Sequence, residues 1–188
     1  QKFIDVIVKD LGFLFGAVVL KDKKLKSLEV ISLTRSKAYR IALKNMDIDL
    51  SKQEIPLSNN ENLIVSTYKS RKKQTTHSIY DVLRPMVSQE MAKKLQEDTG
   101  IKSVIIFPIA FGDRQLGTFM VWLDRNIVDL SQYEKRTLER ISVVFGVAID
   151  RLMLYRDLQR VNIRLKEIDE QKDEFISMAA HELRAPMT

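Results

Sequence analysis

At 188 residues, 45% hydrophobic and 30% charged, the chain is long enough for one domain of ordinary size and an appendage, and it has the composition of a globular protein with exposed helix. It contains no cysteine, which excludes disulfides, thiolate metal sites and thioether-linked chromophores and fits a reducing compartment. The net charge of +6 would suit nucleic acid, but the 31 basic residues are interspersed with 25 acids. The densest clusters, KDKKLK (21–26) and KSRKK (69–73), read as a hairpin tip and a helix end, so no nucleic-acid partner is expected. No apolar run is long enough to cross a membrane and no secretory signal is present, so the expected location is cytoplasmic. Helical periodicity is already under way at Gln1, which leaves room for an upstream membrane anchor in a longer parent.

In chain order, Phe3, Ile4, Ile7, Val8 and Leu11 fall at helical spacing, and Gly12 ends that helix. FLFGAVVL (13–20) is apolar at both parities and predicts a strand covered on both faces; SLEVISLT (27–34) predicts its hairpin partner. A helix is expected over 36–46, with Ala38, Ile41 and Ala42 on one side. EIPLS (54–58) is a short extended segment that Pro56 keeps out of a central position. A helix over 60–72 and a short strand over 74–79 follow, then a helix over 88–100 ending on Gly100. KSVIIFPIAF (102–111) and QLGTFMVWL (115–123) read as two strong strands joined by a tight turn at GDR.

The pattern then changes. SQYE (131–134) is a capping box, and no helix breaker appears until Pro186. The implied helix is about 80 Å long at 1.5 Å rise per residue, too long to be buried throughout in a small domain. Leu138, Ile141, Phe145, Ala148 and Leu152 step 3-4-3-4 and are expected to pack on the sheet. A second stripe comprises Val144, Val147, Leu154, Leu158, Val161, Leu165, Ile168, Phe175 and Ala179. With Arg151 and Lys172 filling the gaps, it keeps an a/d heptad register for five heptads and predicts a coiled coil. The simplest assembly is a parallel homodimer through residues 144–179.

The segment Phe175-Ile176-Ser177-Met178-Ala179-Ala180-His181-Glu182-Leu183-Arg184-Ala185-Pro186 resembles the phosphoacceptor box of sensor histidine kinases. The body resembles a GAF domain, a sensory module built on an antiparallel sheet. That likeness rests on IPLSNNENLIVSTYKSRKKQTTHSI, the hairpin IKSVIIFPIAFGDRQLGTFMVW and the capped helix after it. The two resemblances imply an α+β chain: a GAF-like antiparallel sheet covered by helices, followed by a long coiled-coil helix. They imply a sensory domain over 1–150, a signalling helix over 151–172, and the opening of the dimerisation and phosphoacceptor domain over 173–188. The function implied is the sensory and phosphoacceptor portion of a two-component histidine kinase. The GAF input would control autophosphorylation of His181 and phosphotransfer to an aspartate of a response regulator receiver domain.

With Ala179 at an a position, His181 falls at c and faces solvent, as a nucleophile that must meet ATP and then a partner aspartate requires. A neutral imidazole attacks a γ-phosphate if its other nitrogen keeps the proton. In the family the acid after the histidine, here Glu182, assists as acid/base partner, and the proline, here Pro186, marks a bend. Family members usually carry Thr or Asn where this chain has Ala185, which lacks the group that positions water for phosphatase activity. ATP with magnesium would be used by a kinase domain that does not lie within the 188 residues, so this polypeptide alone is expected to be inactive.

Two alternatives belong beside this reading. One is a non-enzymatic GAF module that dimerises or binds a ligand and controls another output. The other, a standalone GAF enzyme, lacks a nucleophile or metal cluster in the body. His77 is expected to be a surface or pocket-wall residue, and no metal site is expected. The ligand of the GAF body is unknown: no cyclic-nucleotide motif is present, and a domain that only packs and dimerises fits as well as a ligand sensor.

Overall fold

A computed structural model describes residues 2–22, 26–46, 49–50 and 53–184. The chain divides into two compact units, Gln1–Val147 and Ala148–Thr188. The first holds a six-stranded sheet in which every neighbouring pair is antiparallel.

The elements are α1 (Lys2–Asp10), β1 (Phe15–Lys21), β2 (Ser27–Leu33), α2 (Lys37–Met46), β3 (Glu54–Pro56), α3 (Leu63–Ser70), β4 (Gln74–Thr76), α4 (Tyr80–Leu83), α5 (Gln89–Thr99), β5 (Ser103–Phe111), β6 (Arg114–Leu123) and α6 (Gln132–Arg184). The strand order is β3-β2-β1-β6-β5-β4. β3 is an edge strand, which accommodates Pro56, since proline has no N–H for a ladder on both sides. β5 and β6 form the expected hairpin, and β1 joins it by pairing Phe15–Leu20 with Gly117–Trp122.

The central strands β1, β6 and β5 are buried at both parities over most of their length, as their sequences require. On one face Phe15, Ala17, Val19, Val104, Ile106, Met120 and Trp122 pack with Tyr39 of α2, Ile64, Val65 and Tyr68 of α3, Val82 of α4, and Ala92 and Leu95 of α5. Residues 35–100 therefore supply this cover. The opposite face carries Gly16, paired with Val121, and Val18, paired with Phe119. A Cβ on Gly16 would lie 2.7 Å from Val8 Cγ2 and 2.9 Å from Ile4 Cγ2, so α1 rests directly on β1 there. Farther along that face the Phe145 ring meets Phe119, with centroids 5.1 Å apart.

Two corrections concern this second layer. α1 shares it with α6, where spacing alone pointed to α6. The 3-4-3-4 stripe also ends early: Leu138 is fully buried and Phe145 packs on the sheet, but Ala148 is exposed and Leu152 is 59% exposed. The close approach of α6 to β5 is made instead by small residues. Ser142 Oγ donates to the Pro108 carbonyl at 2.7 Å. A Cβ on Gly146 would lie 2.2 Å from the Ala110 carbonyl oxygen, beside the irregularity in β5 at Ile109/Ala110.

Boundaries shift for local reasons. The predicted helix over 60–72 spans Leu63–Ser70 because Asn62, fully buried, is its N-cap. Asn62 Oδ1 accepts from Ile64 N–H at 2.9 Å, and Nδ2 donates to the Val82 and Arg84 carbonyls, each at 2.8 Å. The strand expected over 74–79 stops at Thr76, whose hydroxyl oxygen accepts from Ser78 N–H at 3.0 Å and donates to Asp81 Oδ2 at 2.5 Å. The capping box at the start of α6 forms reciprocally: Glu134 N–H donates to Ser131 Oγ at 3.2 Å and Ser131 N–H to Glu134 Oε2 at 2.8 Å. The Ser131 hydroxyl, which donates to Glu134 Oε2 at 2.7 Å, and then the Ser131 N–H, with lesser help from Arg125, hold the Glu134 carboxyl below its usual range.

Replacing Gly146 by Ala separates two opposed effects. Helix propensity alone would stabilise by about 1 kcal/mol. The new methyl would collide with backbone, which yields less readily than a side chain, and overpacking of this kind costs about 1–3 kcal/mol. The expected outcome of Gly146→Ala is net destabilisation by about 1–2 kcal/mol in urea unfolding; a stabilised variant would mean that α6 does not rest on β5 at this point.

Candidate functional site

The second unit consists of the continuation of α6. Its a/d stripe is exposed in the single chain: Leu154, Leu158, Val161, Leu165, Ile168 and Phe175 lie between 50% and 67% exposed. The stripe is apolar from Leu154 to Ile168 and is interrupted by Lys172 before Phe175. Tyr155, Ile163, Ile176 and Met178 are also exposed, off the stripe. The other faces carry i,i+3 ion pairs, Arg164–Glu167 at 3.0 Å and Arg160–Asp157 at 3.7 Å, which contribute little energy at such exposure. At the a position between Ile168 and Phe175, Lys172 Nζ stands 3.6 Å from Asp169 Oδ1.

His181 is helical and exposed, six residues beyond Phe175 and two beyond Ala179. Glu182 continues the helix, and its side chain lies outside the described part of the structure. Ala185 and Pro186, on which the expected bend and the doubtful phosphatase function rest, lie outside the described residues. His77 occupies different surroundings: it is exposed just past β4, and its carbonyl accepts from Gln96 Nε2 at 2.6 Å.

The body contains a second candidate, inside the larger core layer. Two small cavities of about 40 Å³ each share Phe15, Leu50, Leu83 and Trp122 in their walls. Ala38, Tyr39, Ile79, Leu95, Thr99 and Ile101 complete the first. Val30, Leu33, Gln53, Ile55, Val82 and Met120 contribute to the second. Two of their polar side chains are engaged within the fold. Thr99 Oγ1 donates to the Leu95 carbonyl at 2.6 Å, and Gln53 Nε2 donates to the Asp49 carbonyl at 3.4 Å. Tyr39 stacks on Phe15 with centroids 5.7 Å apart. Spaces of this size and lining suit at most a small apolar guest, since drug-sized ligands occupy roughly 300–1,000 Å³ and water requires two to four polar partners. No helix among the described residues is long and apolar enough to cross a membrane.

No family model matches the chain, and none of the curated proteins matches it. Solved structures do. The GAF domain of a two-component sensor histidine kinase from Bacillus halodurans aligns with a TM-score of 0.58 at 18% identity, covering 82% of this chain and 95% of that one. Residues 122 to 287 of a methyl-accepting chemotaxis protein align with a TM-score of 0.56 at 17% identity, covering 80% and 86%. The GAF domain of an Acinetobacter phosphoenolpyruvate-protein phosphotransferase aligns with a TM-score of 0.56 at 11% identity, covering 82% of each chain. At these identities the likeness establishes the fold: the chain is α+β and GAF-like, with a long helix after the sheet.

Leu83 lines both cavities, so its truncation tests their closure. Leu83→Ala should destabilise by about 2 kcal/mol, the low end for a leucine that is only partly buried, and should join the two spaces. Benzene should then raise the melting temperature of the variant and shift the emission of Trp122, the single tryptophan, while leaving the parent protein unchanged. Equal responses from both proteins would show that the cavity is already open.

Proposed function

We propose that this chain is the sensory and phosphoacceptor portion of a two-component sensor histidine kinase. Residues 1–150 form the GAF input, 151–172 the signalling helix and 173–188 the opening of the dimerisation and phosphoacceptor domain. The observation that carries this reading is the placement of His181. It lies within FISMAAHELRAP, in phase with the apolar stripe of α6 and on an exposed face of that helix. A string of this kind has no use in a module that only packs.

In the proposed reaction a ring nitrogen of neutral His181 attacks the γ-phosphorus of ATP. A P–N bond forms as the bond from that phosphorus to the β,γ-bridging oxygen breaks, and ADP leaves. The proton on the other ring nitrogen passes to Glu182, which otherwise holds the productive tautomer. Magnesium and the nucleotide-binding surface would come from the kinase domain of the parent protein, and the phosphoryl group would pass on to an aspartate of a receiver domain. A requirement for ATP would put the module in the cytoplasm.

The partner proposed for the apolar stripe is a second copy of this chain, paired in parallel through residues 144–179. Charge supports parallel pairing in register. With Val144 at a, Arg164 falls at g and Asp169 at the following e, positions that face each other across a parallel dimer.

The catalytic assignment is tested in the full-length parent protein. His181→Gln should abolish acid-labile phosphate, whereas His77→Gln should leave it unchanged; label retained in the first variant rules the assignment out. The assembly is tested in this chain by light scattering. Leu158→Asp together with Leu165→Asp should convert dimers to monomers, because each substitution sets a charge in the seam. A parent chain already monomeric at tens of micromolar, well above the dissociation constants of stable dimers, would contradict pairing through α6.

A further inference from the structure

α1 ends in a Schellman motif. Gly12, at φ +66°, donates its N–H to the Lys9 carbonyl at 3.2 Å, and Phe13 N–H reaches back to the Val8 carbonyl at 2.8 Å. The Leu11 carbonyl accepts from Arg125 Nη2 at 3.4 Å, and the guanidinium lies 5.9 Å from the centroid of the Phe13 ring. The same Nη2 donates to Glu134 Oε1 at 2.5 Å. The other oxygen of Glu134 accepts from the Ser131 N–H and hydroxyl and so closes the first turn of α6. Arg125 is itself anchored, since its carbonyl accepts from Ser103 Oγ, at the start of β5, at 2.7 Å. One side chain held at the end of the sheet thus touches the end of the helix entering the body and the start of the helix leaving it.

Stability alone accounts poorly for this arrangement. The ion pair with Glu134 is largely buried, so its Coulomb gain is set against the desolvation of both groups, and Arg125 Nε is buried without a hydrogen-bond partner, which carries a cost. What the residue does distinctively is join two segments more than a hundred positions apart in sequence.

We propose that Arg125 couples α1 to α6, so that a displacement of α1 reaches the first turn of α6 through the guanidinium, without crossing the sheet or the cavities. The signalling consequence rests on the reading of α6 as the output helix: an input arriving through α1 would bypass the GAF core, and the core would remain free to add a second input. The competing route runs from α1 through β1 and β6 to Phe145.

The two routes are separated by perturbing α1 and reading α6. Val8→Ala loosens α1 where it rests on Gly16; Ile4→Val is the milder substitute should Val8→Ala fail to fold. Amide hydrogen exchange is followed over 132–138, with β6 amides as the reference for global opening. With Arg125 present, Val8→Ala should speed exchange over 132–138 by about fivefold, the lower end for coupled sites. With Arg125→Gln in the background, the effect of Val8→Ala should stop at α1. An equal effect in both backgrounds assigns transmission to the sheet and overturns the proposal, as does no effect in either. A second measurement, the rate of His181 phosphorylation in the full-length protein, tests the functional reading separately. Exchange coupling with no change in phosphorylation would leave the bracket standing and count against α6 as the output of a kinase.

Discussion

The body depends on three adjacent strands, β1, β6 and β5, that are apolar on both faces. Such strands cannot sit at a water-facing surface, so the sheet must be sandwiched. The chain meets this demand unequally. Residues 35–100 fold over one face with four helices and fill it with large side chains such as Tyr39, Tyr68 and Leu95. Among the described residues, the other face receives α1 and the first turns of α6. Of the helices on that side, α6 is both structural cover and the helix that continues into the second unit.

The same asymmetry explains why the cavities lie where they do. The thick layer is assembled from short helices and loops around Phe15 and Trp122, whose rings meet edge-on at 4.6 Å. Bulky aromatic groups meeting helices of four to eleven residues leave gaps that no single side chain fills. In the thin layer Gly16 and Gly146 bring helix and strand into direct contact.

Much of this was legible in the sequence because it rests on hydrophobic period. The central strands, the edge position of Pro56 and the end of α5 at Gly100 all follow from local pattern and chain chemistry. What pattern missed has no hydrophobic signal. Ser142 and Gly146 make the contact with β5 while Ala148 and Leu152 stay exposed, since a 3-4 spacing says which residues share a face but not where the opposing surface ends. α4, at four residues, is too short to show a period. Asn62 reads as one more polar residue in NNEN, yet it is fully buried because its amide satisfies backbone groups on two separate segments. The bracket at Arg125 depends on residues that only the fold brings together. His181 was visible in the opposite way, through a motif and through phase rather than burial, and nothing in the packing of the body marks it.

That phase gives Lys172 its interest. If two copies of α6 pair as proposed, Lys172 meets its own counterpart in a layer flanked by Ile168 and Phe175. Its own-chain partner Asp169 stands 3.6 Å away with both groups mostly exposed, too weakly placed to cancel the repulsion. The lysine stem can lie along the seam while the ammonium reaches water, but the layer forfeits the burial that its apolar neighbours gain. His181 lies nine residues on, roughly 13 Å along the helix at 1.5 Å per residue. The loosest layer of the seam would then fall between the body and the reacting histidine. A signal can shift an equilibrium only by its differential affinity for two states, so the states must lie close in free energy. A seam of unbroken leucine would hold one packing firmly; a charged layer at position 172 narrows the gap between alternatives where a small change in packing is nearest to the chemistry.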